Sequence, residues 1–178
     1  MEYEKLPENA KEIRIPENNM TVSFVFAIPF IILMFVSLHV KSLIGHEFPL
    51  NRPYAAIGIV AGLLLVVVHE FLHACVYPKG ATAYIGVIPG KFMAYTCCAA
   101  PLRKDRFILM SLLPVLLGIV PYVLFLLCPI GGKIAAAIFW PCAMIGFIAP
   151  CPDYLNVFCV CRQVPDGAYI QDGDDGMF

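Results

Sequence analysis

YAAIGIVAGLLLVVVHEFLHACVY, residues Tyr54 to Tyr77, is an apolar run of 24 residues in which Glu70 is the only formally charged side chain. As a helix it would measure roughly 36 Å at about 1.5 Å per residue, enough to cross a bilayer with some tilt. The composition of the whole chain agrees. Of 178 residues, 60% are apolar and 14% charged, where soluble domains run near 45–50% and about 25%. Mean hydropathy is +0.80. These values rule out disorder and argue against an ordinary water-soluble domain. The net charge of −1 leaves no basic excess to neutralise phosphates, so no nucleic-acid partner is expected.

Three further apolar stretches complete the pattern: about Met20 to Val40, containing Pro29; about Phe107 to Cys128, containing Pro114 and Pro121; and about Lys133 to Ala149. Proline lacks an amide hydrogen and so kinks or ends a helix. Pro150-Cys151-Pro152 therefore reads as the stop of the last span. Between the second and third spans, Ala83 to Val87 and Phe92 to Cys97 flank a turn at Pro89-Gly90 and read as a β-hairpin. The fold class expected is an all-α membrane protein with four transmembrane helices and a small β-hairpin insert between helices 2 and 3. The eight cysteines fall mostly in or beside apolar runs with no CxxC pair. There they act as small hydrophobes, and disulfides are not expected.

Loop charge orients the spans. With the N-terminus inside, nine of the 12 Lys and Arg residues fall on one side, Arg103, Lys104 and Arg106 among them; only Lys41, Arg52 and Lys133 fall on the other. Positive residues mark the cytoplasmic side, so a multi-pass protein of the cell membrane with both termini cytoplasmic is expected.

His69-Glu70-Phe71-Leu72-His73 fits HExxH. Positions four apart on a helix share a face, so both imidazoles can grip one ion, and the adjacent Glu can take a proton from a water on it. Membrane depth sharpens the reading. Ionisable groups there cost about 2.5–3.5 kcal/mol each on insertion scales, and folding alone gives no reason to gather three where Leu would serve. Gly58 and Gly62 form a GxxxG that permits close helix approach. Gly58 lies 11 residues, nearly a whole number of turns, before His69, so a helix packed on the glycines would be brought close to the histidines.

Catalytic zinc usually takes three protein ligands and keeps one position for water. Candidates for the third are His39, His46, Glu47, Asp105, Asp153 and the tail aspartates. His39, His46 and Glu47 fall across the membrane from the motif. Asp105 sits among Arg103, Lys104 and Arg106, where a salt bridge is the simpler reading. Asp153 follows the fourth span on the motif's side and is the expected third ligand; its competing reading is a helix N-cap after Pro152. Asn156, three residues on, would share a helical face with Asp153, either orienting it or donating to a developing oxyanion; plain packing is the alternative.

HEFLHA at the end of an apolar helix, a β-rich insert, APLRKDRFILMSLLP, PDYLN and the closing PDGAYIQD together resemble the bacterial putative zincin peptidases. These are integral membrane proteins of a domain-of-unknown-function family, distantly similar to site-2 intramembrane metalloproteases. The resemblance spans roughly Ala55 to Asp172. It implies a zinc site of His69, His73 and Asp153 with Glu70 catalytic. The organisation that follows is a cytoplasmic N-terminal segment (1–19), an integral membrane metalloprotease-like domain (20–163) and a cytoplasmic tail (164–178).

The function expected is a zinc-dependent, membrane-embedded peptidase acting on a peptide or membrane-protein substrate near the cytoplasmic face, surrounded by membrane lipid. Zn2+ would bring the pKa of water down towards about 7, Glu70 would shuttle the proton, and the hairpin could receive substrate as an added strand. The rival from another class is a non-hydrolytic, metal-binding scaffold or regulator. In it, Cys75, Cys151, Cys159 or Cys161 would close the fourth coordination position. A small transporter is a third reading; a lone site without internal repeats fits it poorly.

Overall fold

A computed structural model describes residues 10–16, 19–88, 93–173 and 176–178. Its elements, in chain order, are α1 (Asn19–Gly45), α2 (Arg52–Val76), β1 (Ala83–Ile88), β2 (Met93–Cys98), β3 (Leu102–Arg103), α3 (Lys104–Leu112), a 3-10 turn (Leu113–Val115), α4 (Leu116–Leu127), α5 (Lys133–Ile148), α6 (Cys151–Gln163) and β4 (Tyr169–Ile170). Among the described residues four helical runs are long and apolar enough to cross a membrane: Asn19–Gly45, Arg52–Val76, Lys104–Leu127 and Lys133–Gln163. The outward faces of α1 and α2 carry Phe24, Val25, Leu64 and Val67, each more than half exposed, as expected of side chains that face acyl chains rather than water.

Each proline has a distinct local effect. α1 runs on through Pro29 and α4 through Pro121. At Pro114 the third span tightens into the 3-10 turn between α3 and α4. The fourth span departs from the expected stop. α5 ends at Ile148, yet helix resumes at once at Cys151 with Pro152 in its first turn, where a missing amide hydrogen costs nothing. Pro150 and Pro152 break the ladder without ending the span. The Tyr154 hydroxyl donates across the break to the carbonyl of Phe147 at 3.1 Å, and Phe30 of α1 stacks on both rings.

The glycines of α2 fix its partner. α2 packs along α5, so near that a Cβ on Gly58 would lie 2.3 Å from the Ile138 carbonyl oxygen, and one on Gly62 would lie 2.7 Å from Ile145 Cδ1. Because one obstacle is backbone, it cannot swing aside. Gly58→Ala is therefore expected to destabilise by about 1–3 kcal/mol, the usual cost of overpacking, read as a lowered thermal midpoint in detergent. Gly131→Ala, which meets nothing within 4 Å, is the matched control and should leave the midpoint unmoved.

β1 and β2 pair antiparallel, with Tyr84 opposite Cys97 and Gly86 opposite Tyr95. The hairpin sits where it was expected; its turn at Pro89-Gly90 lies outside the described residues. A second two-stranded sheet, β3 with β4, was not anticipated. Through it the tail folds back onto the start of α3. Ile170 and Met177 join Val76, Phe107, Leu155 and Val160 in one buried cluster. Ile13, from the segment before α1, belongs to the same cluster and donates its amide to Met177 at 2.8 Å. Lys104 pairs with Asp166 at 2.7 Å and holds that exposed carboxyl below the usual range, first through the hydrogen bond and then through charge. At the other end of the bundle, Lys41 donates to the carbonyls of Phe125 and Cys128, both at 2.6 Å, which satisfies the C-terminal carbonyls of α4. Among the described residues no cysteine takes part in a disulfide.

Candidate metal centre

His69, Glu70 and His73 lie in the last two turns of α2, and all three are buried. Their common orientation follows from the helical spacing of the motif. Asp153 reaches them from the first turn of α6. The interruption of the helix at Ala149–Pro150 creates that helix start inside the bundle, and a carboxylate in a first turn is favoured by the unpaired amides there. Pro150 occupies the N-cap position and no side chain caps the helix, so Asp153 is not the cap that its Pro-Asp setting allowed.

The donor atoms converge. His69 Nε2 and His73 Nε2 are 2.9 Å apart; Asp153 Oδ2 lies 3.2 Å from the first and 3.5 Å from the second. Among the described residues these are the His, Cys, Asp and Glu side chains that gather in a group able to hold a metal ion. Glu70 stands beside the trio rather than in it, with Oε1 3.9 Å from His69 Nε2. Asp105 pairs with Arg103 at 3.0 Å on the surface, and Glu47 pairs with Lys133 at the opposite end of the bundle, so neither enters the site.

A family model described as "Putative zincin peptidase" matches residues 62–169, more than half of the chain and all of this constellation. The chain belongs to that family. Neither the curated proteins nor the solved structures contain a match. The match is narrower by a few residues at each end than the resemblance traced by the motifs.

The donor set of this zincin-family chain fits zinc. Tetrahedral zinc with bonds of about 2.0–2.1 Å to nitrogen and oxygen places neighbouring donors about 3.3–3.4 Å apart, and the three separations here bracket that value. The tautomer is suited as well. His73 Nδ1 lies 3.0 Å from the Met110 carbonyl; that oxygen can only accept, so Nδ1 carries the hydrogen and Nε2 turns its lone pair to the centre. Such outer partners fix ring orientation in metal sites.

Two participants carried no sequence signal. Met110 contributes only a backbone oxygen, from α3. Thr96 of β2 places its hydroxyl 2.9 Å from Glu70 Oε2 and 2.9 Å from the Glu70 carbonyl oxygen. Both contacts are tertiary, and no local pattern marks them.

The group opens onto a cavity of about 450 Å³. Phe24, Val66 and Phe107 give it apolar walls; Thr96, Asn156 and Asp172 are among its polar lining. Asn156 is thus on the face it was expected to share with Asp153. Asp172, from the tail, is the one carboxylate in the wall outside the HExxH–Asp153 constellation among the described residues. Burial pushes its pKa up from 3.8.

Proposed function

We propose that this chain is a zinc-dependent, membrane-embedded peptidase. The observation that carries the reading is the meeting of His69, His73 and Asp153 around one point, with the Glu70 carboxylate beside it at the wall of an apolar cavity. His69 Nε2, His73 Nε2 and Asp153 Oδ2 would hold the ion. Zinc so bound supplies Lewis acidity, bringing the pKa of water down towards about 7 and polarising a carbonyl.

The chain's own groups do the rest. Glu70 Oε1 accepts a proton from water as the water oxygen bonds to the scissile carbonyl carbon. When the C–N bond breaks, the same carboxyl returns that proton to the leaving nitrogen. Asn156, which lines the same cavity, donates to the carbonyl oxygen as charge grows on it. The apolar walls receive a peptide or a membrane-protein segment and exclude bulk water. The strands β1 and β2, with Ala94, Tyr95 and Thr96 lining the cavity, offer backbone to an extended substrate. With the lysine- and arginine-rich loops on the inner side, cleavage takes place near the cytoplasmic face of the cell membrane, both termini lie on that side, and lipid surrounds the bundle.

The scaffold reading requires a fourth protein ligand. Among the described residues no cysteine joins the trio, and Cys75 and Cys161 are exposed, which favours an open position and hence hydrolysis. Elemental analysis of protein purified in mild detergent is expected to find about one zinc per chain, removed by chelator together with activity on a reporter peptide and restored with it. Protein that binds no divalent metal on reconstitution overturns the proposal.

A further inference from the structure

The peptidase reading gives Glu70 a proton to carry but leaves open what holds a three-bond side chain in one place while it does so. The hairpin answers this. We propose that Thr96 is a positioning residue for the Glu70 carboxylate: its hydroxyl holds Oε2 so that Oε1 faces the centre. This inference rests on the peptidase reading.

The geometry is a three-point one. Thr96 Oγ1 lies 2.9 Å from Glu70 Oε2 and 2.9 Å from the backbone oxygen of the same residue. One hydroxyl has one hydrogen to give and lone pairs to receive with, so it cannot donate fully to both oxygens at once. While the carboxylate is ionised, the charged oxygen is the stronger acceptor and takes the hydrogen; the Glu70 carbonyl keeps its ordinary helical partner four residues on. With Oε2 held in this way, Oε1 is the oxygen turned towards the His69 side of the centre, where the proton is taken up. A hydroxyl can hold Oε2 by donating to it; a thioether or a methyl group in its place cannot.

Placement on β2 gives the arrangement a second consequence. Thr96 pairs with Ile85 across the hairpin, and its neighbours Ala94 and Tyr95 line the cavity. The strand best placed to meet a substrate backbone is the strand that fixes the base.

Thr96→Val keeps the branched shape that suits a strand and removes only the hydroxyl. Thr96→Ser restores it. Two readouts separate the hydrogen bond from turnover. In protein carrying 13C-labelled glutamate carboxyls, the infrared difference between wild type and Glu70→Gln isolates the Glu70 carboxylate stretch. That band is expected to shift in Thr96→Val and to return to its wild-type position in Thr96→Ser, with or without metal. On a reporter peptide, Thr96→Val is expected to lower kcat by about 10–100-fold, the usual scale for a partner one step removed from the ion. KM and zinc content should stay at wild-type values, and Thr96→Ser should recover most of the rate. An unmoved band, a shifted band with wild-type kcat, or a serine variant as slow as valine overturns the proposal. A wild-type protein that binds zinc and cleaves nothing overturns instead the peptidase reading beneath it, because the infrared band reports the hydrogen bond by itself.

Discussion

Glu70→Gln should keep its zinc and lose turnover by about 10²–10⁴-fold, the range general acid–base catalysis contributes. The substitution exchanges one oxygen for NH2 at nearly constant volume. His69, His73 and Asp153, whose donor atoms lie 2.9–3.5 Å from one another, are left untouched. The amide oxygen can still accept from Thr96, so the side chain keeps its place. What disappears is the ability to take a proton at neutral pH. Zinc content and the rate on a reporter peptide, measured on the same preparations, separate three outcomes. Retained metal with lost rate is the expected one. Wild-type rate in the variant would mean that proton transfer does not pass through Glu70 and would end the proposed mechanism. Lost metal would make Glu70 a ligand, against its position beside the donor trio.

The residues that announced the site are those whose cost is visible in one dimension. Three ionisable groups inside an apolar run cannot be explained by folding, and a four-residue spacing carries its own geometry. Gly58 and Gly62 were legible for the same reason, since the helical period places them on the histidine face, and α5 does come within a Cβ's reach of both. The hairpin was visible through β-branched residues on either side of Pro-Gly, although its turn lies outside the described residues.

What remained hidden was tertiary. Proline reads equally as the end of one helix or the first turn of the next, and at Pro150 and Pro152 both readings apply to consecutive helices. Asp153 could therefore be picked out and a helix weighed beside it, but not that this helix continues the fourth span with Pro150 as its cap. Two-residue strands have no period to detect, so the pairing of Leu102 with Ile170 left no trace in the sequence. Thr96 and Met110 meet the motif from 26 and 37 residues away. A lone threonine in a strand and a backbone carbonyl look like any others until the chain is folded.

Removing one ligand separates the metal's contribution from the protein's own packing. His73→Ala and Asp153→Asn are each expected to weaken zinc binding by at least about 100-fold, since even outer partners of a metal site cost about 10–100-fold. The two variants should part company in the metal-free protein. Asp153→Asn keeps the size of the side chain and exchanges a carboxylate, 16% exposed, for a neutral amide. The amide still faces both imidazoles and fills the same volume, so the loss is confined to the charge and the metal-free thermal midpoint should fall only slightly. His73→Ala empties ring volume from a buried position and strips the Met110 carbonyl of its partner. An unsatisfied buried acceptor costs about 1–3 kcal/mol, before any cavity is counted, so its metal-free midpoint should fall. Metal titration and thermal melts with and without chelator measure both effects. Full zinc occupancy in either variant would place the ion elsewhere. Equal loss of stability in the two would mean that Asp153 supports the fold as much as the ion, because only the histidine variant empties ring volume and leaves a buried carbonyl without its partner.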